Sequence, residues 1–186
     1  MSAETPASRR GRLLVAAPAL VDPSFRRAVV LMLEHSDDGA LGLVLNRPTP
    51  LVSREALPGR LAEVMPDRER VFEGGPVQPE AVIVLADFED VSEAATIAFG
   101  TVGIVDPDVD AVGIGPVRAI RAFGGYAGWA GGQLEREMAE EAWVDCDAVA
   151  DDVFTDDHSS LWSRVLERKG GSWRIIARMP EDPTLN

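Results

Sequence analysis

The stretch that decides the fold is Gly-Gly-Tyr-Ala-Gly-Trp-Ala-Gly-Gly-Gln-Leu at residues 124–134. It follows a run of strand-forming residues at 117–123, and a helical pattern starts inside it and continues over residues 133–141. Glycine allows backbone to pass close to large rings, so Tyr126 and Trp129 are predicted to pack into the core. The block is therefore predicted to be a glycine turn that joins a strand to a helix.

The segments around this block mix strands and helices without a regular strand–helix–strand repeat. Residues 28–33 and 41–45 are apolar runs on either side of a turn, which predicts a hairpin. Further strands are predicted at 13–16, 71–73, 82–85, 97–105, 143–149, 153–154 and 173–179, and a helix at 159–169. This mixture favours an α+β fold over a doubly wound one. We expect a flexible N-terminal tail at 1–10, one compact domain at 11–179 and a loose C-terminal tail at 180–186.

Charge and cysteine content narrow the classes of function. The 186 residues include 18 Lys and Arg against 31 Asp and Glu, a net charge of −13. Long-range repulsion of phosphates disfavours direct nucleic-acid binding by such a chain. Its one cysteine cannot form an internal disulfide, which fits a cytoplasmic protein. No run approaches the roughly 18 apolar residues of a membrane span, so no membrane association is expected.

Few residues carry the usual signatures of catalysis or metal binding. His35 and His158 are the only histidines, and neither has a second ligand at a metal-site spacing. Cys146 stands between two aspartates, which disfavours its reactive thiolate. There is no Gly-x-Ser-x-Gly motif. We therefore predict no catalytic residues, no metal and no cofactor, and favour a protein that is not an enzyme.

Two glycine-rich stretches leave two interpretations open. Gly74-Gly75 follows a strand, and Gly128 lies shortly before a helix, where free backbone N–H groups can bind an anion. Tight packing of backbone against rings explains the same glycines. The residues proposed as a shared ligand or interaction site are His35, Asn46, Arg47, Gly74, Gly75, Tyr126, Gly128, Trp129 and Gln133.

Four segments together resemble the AlgH/YqgE family of bacterial proteins. They are Leu-Leu-Val-Ala at 13–16 with Pro18, Asp22-Pro23 and Phe25; Glu34-His35 with Gly-Ala-Leu-Gly-Leu-Val-Leu-Asn-Arg-Pro at 39–48; Phe-Glu-Gly-Gly-Pro-Val at 72–77; and Gly-Tyr-Ala-Gly-Trp at 125–129 with Gly-Gln-Leu-Glu at 132–135 and Glu137. The resemblance spans residues 11–168. It implies a curved, largely antiparallel sheet flanked by helices. It also implies a link to transcriptional regulation in some bacteria, but no catalytic residues.

Three functions follow as hypotheses. The first is a non-enzymatic regulatory module that binds a protein partner or a small molecule. The second is an enzyme or binding protein for a nucleotide or another anion, with Arg47 as a cation near the glycines. The third, direct DNA binding, is disfavoured by the net charge.

Overall fold

The computed structural model describes residues 7–108 and 113–181, so the parts of the two predicted tails at 1–6 and 182–186 lie outside it. Ten strands are described: β1 (Arg12–Ala16), β2 (Val29–Ser36), β3 (Gly39–Val44), β4 (Pro48–Val52), β5 (Arg70–Glu73), β6 (Val77–Phe88), β7 (Thr96–Phe99), β8 (Val102–Ile104), β9 (Val117–Ala130) and β10 (Trp143–Asp147). The described α-helices are α1 (Ser53–Ala56), α2 (Gly59–Val64), α3 (Gln133–Ala139), α4 (Ala150–Phe154), α5 (Leu161–Lys169) and α6 (Trp173–Ile176). A 3-10 turn, Val91–Glu93, precedes β7.

The strands form one large sheet with β9 at its centre. The order is β10-β1-β2-β3-β9-β6-β8-β7, and every neighbouring pair on this path is antiparallel. β4 pairs with β5, and β5 runs parallel to β9 where it meets residues 122–124. The predicted α+β fold with a largely antiparallel sheet is confirmed.

Helices pack on both faces of the sheet because strand residues alternate between the two sides. In β1, Leu13 and Val15 belong to the buried cluster under α4 and α5. Leu14 and Ala16 belong to a second cluster under α3 on the opposite face. A third cluster joins α1 and α2 to β6 and β9. All four of these β1 side chains are fully buried.

The glycine block is mostly strand, which corrects the predicted turn. β9 continues through Ala130, so only Gly131 and Gly132 make the turn before α3. The strand persists because Gly39 to Gly42 of β3 pair with residues 127–130 and satisfy their backbone. Gly125 adopts a φ of 69° and lies against the backbone at Gly75, which leaves no room for a Cβ atom.

Two predicted strands near the C-terminus are helices. Residues 153–154 end α4, and most of the predicted strand at 173–179 is the short helix α6 and the turn after it. Both segments lack strand partners because they lie on the face already covered by α5, where helix geometry buries Val153 and Ala177 in the main cluster. The predicted strand at 97–105 is two antiparallel strands, β7 and β8, joined by a turn at Gly100.

Candidate functional site

His35, at the end of β2, is held by two hydrogen bonds. Its Nδ1 accepts from the backbone N–H of Arg9 at 3.0 Å, and its Nε2 lies 2.7 Å from a carboxylate oxygen of Glu135. The imidazole is only 4% exposed. Burial raises the pKa of the Glu135 carboxyl, but the hydrogen bond from His35 and that from the backbone outweigh it, so the pKa is lowered. With both nitrogens occupied, His35 attaches the N-terminal segment and α3 to the sheet.

Trp129 and Gln133 converge on a single carboxylate, that of Glu137. Both Trp129 Nε1 and Trp143 Nε1 donate to Glu137 Oε2, at 2.9 and 2.8 Å, and Gln133 Nε2 donates to Oε1 at 3.0 Å. The ring of Phe25 packs against both indoles, at 6.2 and 5.7 Å between centroids. This group, which we call the Glu137 cluster, holds α3 against the sheet. The indole N–H groups and the Gln133 amide all donate to the Glu137 carboxylate within the cluster.

The predicted glycines and Tyr126 form a backbone crossing. Gly74 N–H donates to Gly124 C=O at 2.8 Å, and Gly74 C=O accepts from Val44 N–H at 2.8 Å. A Cβ on Gly75 would stand 2.1 Å from the carbonyl carbon of Tyr126. Because the Gly74 N–H is paired with the Gly124 carbonyl, it is not available to an anion. Gly128, by contrast, is exposed on β9.

Asn46 and Arg47 hold the loop between β1 and β2. Asn46 Oδ1 accepts from Val29 N–H at 3.0 Å, and its Nδ2 donates to Arg27 C=O at 2.9 Å. The Arg47 guanidinium donates to the carbonyls of three loop residues, Pro23, Ser24 and Arg26. The two side chains thus fix the loop, which we call the arginine loop (residues 22–28), by its backbone.

The arginine loop forms one wall of a cationic cleft, which we call the arginine cleft. The cleft has a volume of about 480 Å³. Its lining residues are Arg26, Arg27, Asn46, Arg47, His158, Ser159, Trp162 and Glu181. Three arginines therefore face one acidic residue, in a protein whose net charge is −13.

Arg27 is the most constrained residue of the cleft. Its φ of 55° lies in the left-handed region, which costs about 1–2 kcal/mol for a residue with a Cβ atom. Its guanidinium lies 4.2 Å from the centre of the Trp162 ring. Burial lowers the pKa of this guanidinium, and Glu181 opposes the shift, but an arginine stays charged at neutral pH. A strained residue held by neighbours is typical of functional sites.

The opposite wall begins at His158, which precedes α5. Its ring meets the edge of Phe72 at 5.7 Å between centroids. Phe72 in turn lies beneath the buried guanidinium of Arg121, 4.2 Å from its ring centre. Arg121 donates to Glu69 and to the carbonyls of two residues, Val153 and Thr155, that end α4. A rigid cationic stack therefore supports this wall.

The structure brings only Asn46 and Arg47 of the nine predicted residues into the arginine cleft. His35 lies in a separate surface depression beside Arg10, and the Glu137 cluster lies on the other face. Sequence reasoning missed Arg26, Arg27 and Trp162. The signal for the two arginines was present, since they are adjacent and follow turn residues in a chain where acidic residues outnumber cations, 31 to 18.

Other reactive groups are protected within the part of the chain that the structure describes. Burial raises the pKa of the Cys146 thiol to about 11. Over residues 7–108 and 113–181, no group of three or more His, Cys, Asp or Glu side chains could hold a metal ion. None of the described helices is both long and apolar enough to span a membrane.

Comparison with known proteins places the chain among bacterial relatives. A family model described as AlgH-like matches residues 13–174. A UPF0301 protein of Streptomyces coelicolor is 41% identical over 186 residues, covering 96% of each chain. The solution structure of the AlgH protein from Pseudomonas aeruginosa has a TM-score of 0.69 at 30% identity, covering 97% of this chain and 98% of that one. A crystal structure of the protein DIP2367 from Corynebacterium diphtheriae has a TM-score of 0.81 at 26% identity, covering 90% of both. The chain belongs to the AlgH-like family.

Proposed function

We propose that this protein is a non-enzymatic binding module whose arginine cleft takes a small anion bearing a phosphate or carboxylate group. The observation that carries the proposal is that Arg26 and Arg27 line one cleft of about 480 Å³ together with Arg47, which adds positive charge while its guanidinium holds the loop. Guanidinium groups bind phosphate and carboxylate through paired N–H donors. The volume lies within the usual range for small-molecule sites, roughly 300–1,000 Å³.

The charge distribution supports a specific site over general attraction. The net charge of −13 repels anions at a distance, so an anion that binds must be held by local contacts. Arg27 supplies such a contact because its side chain is only 22% exposed and therefore weakly screened. The same net charge opposes binding of duplex DNA, so a role in transcription would operate through the ligand or a protein partner.

A binding role also fits the state of the potential catalytic groups. His35 has both ring nitrogens in hydrogen bonds, so it offers no free base. The Cys146 thiol is buried, and its raised pKa of about 11 keeps it protonated at neutral pH. His35 and Cys146 therefore supply neither a base nor a nucleophile, and we propose ligand binding as the role of the cleft.

The test is a thermal-shift titration at low salt with inorganic phosphate, citrate and adenosine monophosphate. A ligand at 100 times its Kd stabilises the folded state by about 2.7 kcal/mol, which raises the Tm of a protein of this size by roughly 5–10 °C. Arg27→Gln should abolish most of the shift because it removes the half-buried cation. Arg68→Gln is the matched control, since Arg68 is exposed and does not line the cleft.

Two results would contradict the proposal. One is the absence of a shift with every anion at millimolar concentration. The other is an equal loss of binding in Arg68→Gln and Arg27→Gln, which would indicate a general charge effect.

A further inference from the structure

A second cavity of about 240 Å³ adjoins the arginine cleft and has a different character. The two share Arg26, Arg27, Trp162 and Glu181 as lining residues. The remaining lining residues of the second cavity are Ala17, Pro18, Leu20, Val21, Met179 and Pro180. Every one of these six is apolar. A cationic compartment and an apolar compartment therefore lie next to each other, with the same two arginines in the lining of both.

The chain's own segment 179–181 lies across both compartments. The carbonyl of Glu181 accepts a hydrogen bond from Arg26, and the carbonyl of Met179 accepts one from Arg27. The Glu181 carboxylate stands 3.9 Å from the Arg27 guanidinium, while Met179 and Pro180 line the apolar cavity. The segment thus presents oxygen atoms to the arginines and apolar atoms to the second cavity.

We infer that the ligand of the cleft is an anion with an apolar arm, which takes the place of residues 179–181. The inference rests on the proposed function and specifies its ligand class. The phosphate or carboxylate lies on Arg26 and Arg27, and the arm lies beside Leu20 and Val21. Segment 179–181 competes with the ligand and is called the resident competitor, because its carbonyl oxygens accept hydrogen bonds from the same arginines when no ligand is bound.

The size of the apolar compartment shows that an arm fits. A closed cavity of roughly 150 Å³ accepts benzene, so the compartment of about 240 Å³, which is lined in part by segment 179–181 itself, has room for an arm of at least about six carbons. Val21 is 75% exposed, so the arm has an open route into the cavity. Each fully buried methylene tightens binding by roughly fourfold. A six-carbon arm should therefore tighten binding at least tenfold even if only part of it is buried.

The experiment compares inorganic phosphate, hexyl phosphate and hexanol by isothermal titration calorimetry on the full chain. We expect hexyl phosphate to bind at least tenfold more tightly than inorganic phosphate, and hexanol to bind neither site measurably. Val21→Asp places a charge in the apolar compartment and should bring the ratio of the two phosphate affinities close to one. Leu51→Asp, at another exposed apolar residue, should leave the ratio as in the wild type.

The resident competitor has its own test. Glu181→Gln removes an exposed carboxylate beside Arg27, so inorganic phosphate should bind roughly two- to fivefold more tightly. Glu167→Gln is the matched control, because it removes an exposed carboxylate that lines neither compartment. Unchanged or weaker phosphate binding in Glu181→Gln would overturn the role of the segment as a competitor.

The outcomes separate this inference from the proposed function. If inorganic phosphate binds and hexyl phosphate binds no more tightly, the apolar arm is refuted and the anion site stands. If neither binds, both fail. Vesicles of phosphatidylcholine with phosphatidic acid identify the source of the ligand: retention on vesicles without binding of free hexyl phosphate would overturn a soluble ligand.

Discussion

Replacing Asn46 with alanine tests whether two hydrogen bonds hold the arginine loop in its strained form. The substitution removes the acceptor for Val29 N–H and the donor to Arg27 C=O. Val29 is fully buried, so its orphaned N–H costs about 1–3 kcal/mol. The Arg27 carbonyl, on a half-buried residue, can reach water and costs about 1 kcal/mol. The expected loss is therefore roughly 2–4 kcal/mol, a large part of a typical stability of about 5–15 kcal/mol.

Urea unfolding measures that loss, and phosphate titration measures its consequence. A loss of about 3 kcal/mol should lower the Tm by roughly 6–12 °C in a protein of this size. Phosphate affinity should fall as well, because Arg27 can leave its left-handed conformation once its carbonyl is released. Ser92→Ala, which removes an exposed hydrogen bond, should stay within about 0.5 kcal/mol of the wild type. If Asn46→Ala also stays within that margin, these bonds do not hold the loop.

Three further predictions concern the framework. Arg121→Met should lower the free energy of unfolding in urea by about 3–5 kcal/mol, because it leaves a carboxylate partner and two carbonyls without their cation. The control is Arg118→Met, which removes an exposed ion pair and should cost less than about 1 kcal/mol. Equal losses in the two variants would refute this expectation. Gly75→Ala should prevent folding to a soluble, cooperative state, since its Cβ atom would meet backbone at 2.1 Å. Gly59→Ala is the control, because its Cβ atom enters open space, and it should cost about 1 kcal/mol as judged by Tm. A stable Gly75→Ala protein would contradict the backbone crossing of Gly75 and Tyr126. The thiol pKa of Cys146 rises from 9.0 to about 11 on folding, so stability should fall by up to about 1.4 kcal/mol per unit as pH rises from 9 to 11, and Cys146→Ala should flatten that slope in urea unfolding at each pH.

Continuous apolar runs and turn residues were sufficient to predict several strands but not the extent of the sheet. The apolar runs at 13–16, 28–33 and 41–45 correspond to β1, β2 and β3, because strands buried on both faces consist of consecutive apolar residues. The glycine block was misassigned because glycine signals a turn locally. The pairing that keeps it extended comes from β3, more than 80 residues away in the chain.

The candidate site was harder to predict, since it depends on contacts between distant segments. Asn46 and Arg47 were identified as candidate site residues. Their role of holding the loop depends on hydrogen bonds to backbone carbonyls some 20 residues earlier in the chain. Trp162 falls within the predicted helix at 159–169, and it lies in the core. Its second role, under the guanidinium of Arg27, is set by tertiary packing and leaves no periodic trace in the sequence.

Phe25 gives the molecule an intrinsic optical reporter. It directly precedes Arg26 and Arg27 in the chain, yet its ring packs against Trp129 and Trp143 in the cluster on the α3 face of the sheet. The two indoles lie 5.9 Å apart at 75° to each other, a geometry that couples their electronic transitions. Any displacement of the arginine loop that reaches Phe25 moves its ring against these chromophores, so near-ultraviolet circular dichroism reports whether the loop shifts when a ligand enters the cleft.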